Sequence, residues 1–174
     1  LDDAAFALEI DGAARMIERE IGVRPWLVRP PGGSRSLRVD ARLAERGYTS
    51  VLWNLGTGDP QTDSPNVVFQ TFFRVLERRE RENGERGGIV LMHDTYDYSV
   101  EAFPRIVAEL RARNCALLAA NEELYDFVPD PRYFHVPRAG ANTSTVAPPA
   151  IIPADEFAAR QARLREETRA RCAR

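Results

Sequence analysis

The sequence predicts an α/β fold assembled from parallel strand–helix–strand units. Three observations lead there. Short apolar runs of strand length alternate with segments of helical periodicity, the connections are rich in glycine and proline, and the first three strands each end on a polar or glycine-rich loop. Ligands of parallel sheets gather at the C-terminal ends of the strands, so those loops mark the expected site.

The chain opens on a helix, with Phe6, Ile10, Ala13, Ile17 and Ile21 recurring at spacings of three and four and Gly22 stopping it. Trp26-Leu27-Val28 reads as a buried strand, and Arg29-Pro30-Pro31-Gly32-Gly33 as a rigid loop that can neither continue a ladder nor enter a helix interior. Residues 34–46 read as a helix, with Leu37, Leu43 and Ala44 available for one face. A second strand covers Tyr48 to Trp53, followed by a loop from Asn54 to Asp63. Ser64 reads as the cap of a helix with Pro65 at its first position, Val68, Phe72, Val75 and Leu76 on its apolar face, and Gly84 closing it. Gly88 to Met92 is the third strand, Val100 to Arg113 a helix, and Ala116 to Ala119 a fourth strand. The expected organisation is a domain over residues 1–128, a proline-rich extended tail over 129–153, and a charged C-terminal helix over 154–174, read as solvated.

The chain of 174 residues is long enough to bury a core, and its 44% hydrophobic and 29% charged residues are those of a globular domain. A net charge of −2 gives no electrostatic footprint for nucleic acid. No apolar run approaches the roughly 20 residues needed to span a bilayer. Every one of the 24 basic residues is arginine. The two cysteines make neither a disulfide scaffold nor a metal knuckle. Cys115, in an apolar run, reads as a buried free thiol, with a bridge to Cys172 as the alternative. Asn142-Thr143-Ser144 matches a glycosylation sequon, a short motif that arises often by chance.

Acid–base chemistry at neutral pH has two histidines to choose from, His93 and His135. His93 follows the third strand directly, where a side chain is held rigidly, though it also reads as a residue that merely ends the strand. His135 lies between Phe134 and Val136 in the proline-rich tail and reads as packing. Arg29, at the end of the first strand, could hold a carboxylate in bidentate geometry or serve only in a surface salt bridge. Gly32 and Gly33 let a backbone approach a ligand, and exposed amides there can stabilise an oxyanion. Asp59, in the loop after the second strand, would favour the imidazolium of His93 and raise its pKa; it also reads as a turn residue before Pro60. No set of His or Cys ligands for a metal is present.

Three segments taken in order resemble the polysaccharide deacetylase family, which comprises chitin, peptidoglycan and acetyl-xylan deacetylases. Val28 to Gly33 is similar to its arginine–proline loop, Trp53 to Pro60 to its tryptophan-and-aspartate segment, and Gly88 to Asp94 to its late leucine-x-histidine strand. The resemblance covers roughly residues 5 to 128. It implies the C-terminal portion of a distorted (β/α) barrel that removes acetyl groups from sugars, by N- or O-deacetylation, with a divalent metal, often zinc. By position, Arg29 would orient the catalytic-base aspartate, Gly32 would donate its N–H to the oxyanion, and Asp59 would tune His93. His93 would protonate the leaving group, Leu91 would line the acetyl-methyl pocket, and Pro31 and Trp53 would lie on the substrate side. Gly32 stands where the family has a bulky residue, often tyrosine, Gly56 where a first aspartate often sits, and Pro60 where a tryptophan usually follows the aspartate.

The family's threonine/serine-phenylalanine-aspartate-aspartate strand and its His-x-x-x-His pair do not occur in the sequence. Both normally precede the region where this chain begins, so base and metal ligands are expected from a complementary N-terminal chain or segment. The expected partner is an acetylated polysaccharide or oligosaccharide, and the family implies a secreted, periplasmic or cell-surface location. The rival readings are a non-catalytic carbohydrate-binding or structural remnant of the barrel, and an amide hydrolase acting on a small non-sugar substrate.

Overall fold

The structure, a computed structural model, describes residues 2–84, 86–127 and 153–173. Apart from Pro153, the expected tail, with His135 and the Asn142 sequon, lies outside the described residues. The chain divides into two compact units, one holding the described residues up to Leu52 and the other those from Trp53 onward, including the C-terminal helix.

In the first unit, helix α1 spans Asp3–Ile21. The Asp2 carboxylate accepts from the Ala5 N–H at 2.8 Å and caps its start. Gly22 ends it at φ 72°, a left-handed conformation that glycine adopts without a Cβ clash. Strand β1 (Leu27–Val28) pairs in parallel with β2 (Thr49–Ser50), joined through helix α2 (Leu37–Glu45). Phe6, Ala14, Leu43 and Tyr48 form the core, with Ile10, Val28 and Val39 against it. Three expectations change. Helix α2 starts at Leu37 and not at residue 34, because the Ser36 hydroxyl accepts from the Val39 N–H at 3.2 Å and sets the cap there. Leu37 consequently sits on the outer side of the first turn, 91% exposed. The apolar stripe of α1 is buried only in its first half: Ala14 replaces Ala13 in the core, and Ile17 and Ile21 are exposed.

In the second unit, β3 (Leu55–Gly56) pairs in parallel with β4 (Val90–Leu91), and helix α3 (Pro65–Asn83) makes the crossover. Strand β3 lies inside a segment expected to be loop, while the strand expected over Tyr48 to Trp53 shrinks to β2. Leu55 is the reason: it is 2% exposed, and its N–H and that of Asn54 both donate to the Ile89 carbonyl. The Asn54 side-chain oxygen in turn accepts from the Ile89 N–H at 2.8 Å. A Cβ on Gly88 would collide with that Asn54 oxygen, so only glycine permits the approach. Val90 is 38% exposed, and β4 has one strand partner among the described residues. Helix α3 begins at Pro65 and ends at Gly84 as the sequence implies, but the Ser64 hydroxyl makes no cap bond. The Thr62 hydroxyl takes the Ser64 N–H instead, at 3.1 Å.

Helix α4 spans Asp97–Ala119 and absorbs the expected fourth strand. Its tail stays helical because its inward residues have partners: Leu117 packs on the core, and buried Asn114 is bonded in both directions to the Tyr125 backbone, at 2.8 and 2.9 Å. Tyr125 also donates to Glu80, and burial first, then that carboxylate, push its hydroxyl up to about 12. The core joins Leu55, Val68, Phe72, Phe73 and Leu76 to Ala102, Ile106 and Leu110 of α4. Helix α5 (Ala154–Cys172) packs on α4 and is more than a solvated helix. Thr168 is fully buried, Arg160 holds Asp126 in a bidentate pair at 2.6 and 2.7 Å, and a Cys115–Cys172 disulfide ties the two helices together. The free-thiol reading of Cys115 is therefore corrected: the turn that was expected as a strand is helical and faces α5. The described strands form two parallel pairs, and no described helix is long and apolar enough to cross a membrane.

The disulfide closes a loop with a sequence separation of 57 residues. Cys115→Ala is expected to lower unfolding stability by about 2–4 kcal/mol, read from denaturant midpoints with and without reductant. Coincident midpoints would show that the bridge contributes nothing.

Candidate active site

The site grows from one buried carboxylate. Asp59 opens a single 3₁₀ turn, Asp59–Gln61, placed directly after β3 by Gly58 at φ 69°, and its side chain is 1% exposed. An ionised carboxylate at that depth needs donors on its oxygens. His93 supplies two, its backbone N–H at 2.7 Å from Oδ2 and its ring Nδ1 at 3.1 Å from both oxygens. The buried Ser99 hydroxyl, in the first turn of α4, donates to Oδ2 at 3.0 Å. The Tyr98 hydroxyl donates to the Asp59 backbone carbonyl, also at 3.0 Å. Burial pushes the carboxyl up, but the bonds from His93, Ser99 and Thr57 outweigh it and hold Asp59 below its ordinary 3.8.

An ionised carboxylate only accepts, so Nδ1 of His93 carries the hydrogen that faces it. Its other ring nitrogen, Nε2, is left on the side away from Asp59, and the side chain is 39% exposed. The chain path makes this possible. Strand β4 ends at Leu91, two residues before His93, and the Leu91 carbonyl accepts from the buried Thr57 hydroxyl at 3.2 Å, locking the two strand exits together. Tyr96 meets the His93 ring edge-to-face at 5.7 Å and stacks on Tyr98 at 5.2 Å with planes 9° apart.

Of the residues singled out in the sequence, Asp59 and His93 meet directly, and Leu91 is tied to the same strand exits. Trp53, half-buried, stands two residues before β3. Arg29, Pro31 and Gly32 belong to the first unit. There Arg29 follows β1 and is exposed, and Pro31–Gly33 makes a tight turn, non-helical at Gly32, within the segment expected as a rigid loop. Gly32 has φ 61°, and a Cβ built on it meets nothing within 4 Å, so its backbone conformation and not a lack of space calls for glycine. The turn's two hydrogen bonds use the N–H groups of Gly33 and Ser34. Ser99, Thr57, Tyr96 and Tyr98 were not anticipated. Ser99 lies 40 residues from Asp59 in sequence, and no spacing rule links them.

The donors around Asp59 do not fit a metal. Its oxygens are taken by N–H and O–H groups, and among the described residues no three His, Cys, Asp or Glu side chains converge on a point that could hold an ion.

Because Asp59 titrates below its ordinary value when folded, its stabilisation is complete above pH 3.8 and is lost as pH falls through the lower folded value. Asp59→Asn is expected to cost on the order of 1–3 kcal/mol at pH 7, with a smaller gap from wild type under strongly acid conditions. Urea midpoints at both pH values check this, and a gap that widens in acid would contradict it.

No protein-family profile matches the chain. YlxY of Bacillus subtilis, an uncharacterised protein, is 32% identical over 114 residues, covering 66% of this chain and 33% of YlxY. Chitin deacetylase 1 of Saccharomyces cerevisiae is 35% identical over 82 residues, 47% of this chain and 27% of the yeast protein. The chain thus spans about a third or less of the length of these relatives. Among solved structures, a family 4 carbohydrate esterase from Streptomyces lividans in complex with acetate aligns with a TM-score of 0.53 at 26% identity, over 65% of this chain and 54% of the esterase. A family 4 pseudoenzyme from Bacillus anthracis shares the fold at a TM-score of 0.55 and 23% identity, over 65% and 37% of the two chains. Over about two thirds of its length, this chain is thus similar to the family 4 carbohydrate esterases, the polysaccharide and peptidoglycan deacetylases.

Proposed function

We propose that this chain carries the proton-donating side of a polysaccharide deacetylase site, with His93 as general acid. The observation that carries the reading is the Asp59–His93 pair: a buried, ionised carboxylate that fixes Nδ1 and turns Nε2 outward at a strand exit. As the bond from the acetyl carbon to the sugar nitrogen or oxygen breaks, Nε2–H of the imidazolium gives its proton to that leaving atom, and Asp59, bonded to Nδ1, holds the ring in place for the transfer. Leu91 and Trp53 take the substrate side, and Arg29, Pro31 and Gly32 keep the roles that their loop's resemblance implies.

The base and a divalent metal, often zinc, would come from a complementary N-terminal segment. Supporting such a partner, every described strand has a single strand neighbour, and Ile17 and Ile21 of α1 are exposed at 43% and 67%. The substrate would be an acetylated polysaccharide or oligosaccharide. A secreted or cell-surface location agrees with the disulfide, which persists in oxidising compartments.

The second reading is a non-catalytic module. It is favoured by the lack of a metal-holding cluster among the described residues and by the existence of a family pseudoenzyme of the same fold. Acetate release from an N-acetylated chito-oligosaccharide by the full protein with zinc separates the two. An enzyme should lose about 10²–10⁴-fold in kcat in His93→Ala with its zinc content unchanged. Turnover within twofold of wild type would sink the general-acid role, and no release from wild type would favour the module.

A further inference from the structure

The family's two aromatic walls are missing here: Gly32 stands in the first loop and exposed Pro60 follows Asp59. Aromatic surface is nevertheless present beside His93, from a place the sequence did not flag. Tyr96 occupies the N-cap of α4, in extended conformation at φ −112° and ψ 116°, and makes no side-chain cap bond. Its carbonyl accepts from the Ser99 and Val100 N–H groups at 2.9 and 3.1 Å, so its backbone is pinned to the turn that delivers Ser99 to Asp59. Tyrosine is a poor choice for that position: a Ser, Thr, Asp or Asn cap is worth about 0.5–2 kcal/mol over a residue that cannot bond. Residues of the capping type stand on both sides, Thr95 and Asp97. A local rule broken where better residues lie adjacent points to a task other than stability.

The ring's surroundings indicate which task. One face of Tyr96 is stacked on Tyr98, whose hydroxyl is anchored on the Asp59 carbonyl. Tyr96 is half-buried and held edge-to-face against the His93 ring. The arrangement is a rigid aromatic plate keyed, through Tyr98 and Ser99, to the same carboxylate that orients the imidazole. A flat ring with a negative face suits the C–H face of a pyranose.

We propose that Tyr96, backed by Tyr98, is a sugar-stacking platform that seats a pyranose ring of the substrate beside His93. This rests on the glycan reading of the site but not on the chain's being catalytic. Tyr96 is a positioning residue, acting on where the sugar sits.

The test combines binding and turnover of an N-acetylglucosamine tetramer, by calorimetry and acetate release on the full protein. Tyr96→Ala is expected to weaken Kd and raise KM about three- to tenfold with kcat within twofold of wild type, while Tyr96→Phe matches wild type in both. Tyr96→Leu, which keeps bulk against Tyr98 without a π face, should behave like the alanine variant and guards against misfolding. Unchanged Kd and KM in Tyr96→Ala and Tyr96→Leu overturn the platform, as does a wild type that fails to bind the tetramer. Binding that depends on Tyr96 without acetate release upholds the platform while the deacetylase reading fails.

Discussion

Burying the Asp59 carboxylate sets the terms for everything around it. At 1% exposure it cannot stay ionised without donors, and the donors come from the backbone after β4, the ring of His93, the first turn of α4 and the Thr57 side chain just after β3. Each donor fixes the segment that carries it. The strand pair, the loop from Met92 to Tyr96 and the start of α4 therefore cannot shift independently, and His93 inherits its orientation from that shared constraint.

The rest of the second unit supports this junction. The α3–α4 core places α4 so that Ser99 enters at the level of the 3₁₀ turn, and Val68, Ala102 and Ser99 are all fully buried. At the far end of α4, Asn114 bonds the Tyr125 backbone, and the disulfide and the Arg160–Asp126 pair attach α5. These contacts hold the far end of the helix, while Ser99 holds its first turn against Asp59.

The likeness to family 4 carbohydrate esterases and the composition of the site agree in part. The pairing of an aspartate with the late histidine is present and well formed. No group of His, Cys, Asp or Glu side chains among the described residues could hold a metal ion, and the chain covers only a fraction of each relative.

Alternation of helices and short strands, the stops at Gly22 and Gly84, Pro65 at a helix start and the pairing of Asp59 with His93 were legible in the sequence, because each depends on local chemistry or on a motif in fixed order. Tertiary structure decided the rest. Leu55 became a strand residue because Ile89 lay opposite it, and residues 116–119 stayed helical because Asn114 and Cys115 found partners 11 and 57 residues away. Ser99 and Tyr96 joined the site through contacts across dozens of residues or through ring geometry that no periodicity encodes. His93 could be named from sequence, but which nitrogen it offers was decided by the buried oxygens of Asp59, since only a folded chain can bring a carboxylate out of water and oblige an imidazole to face it.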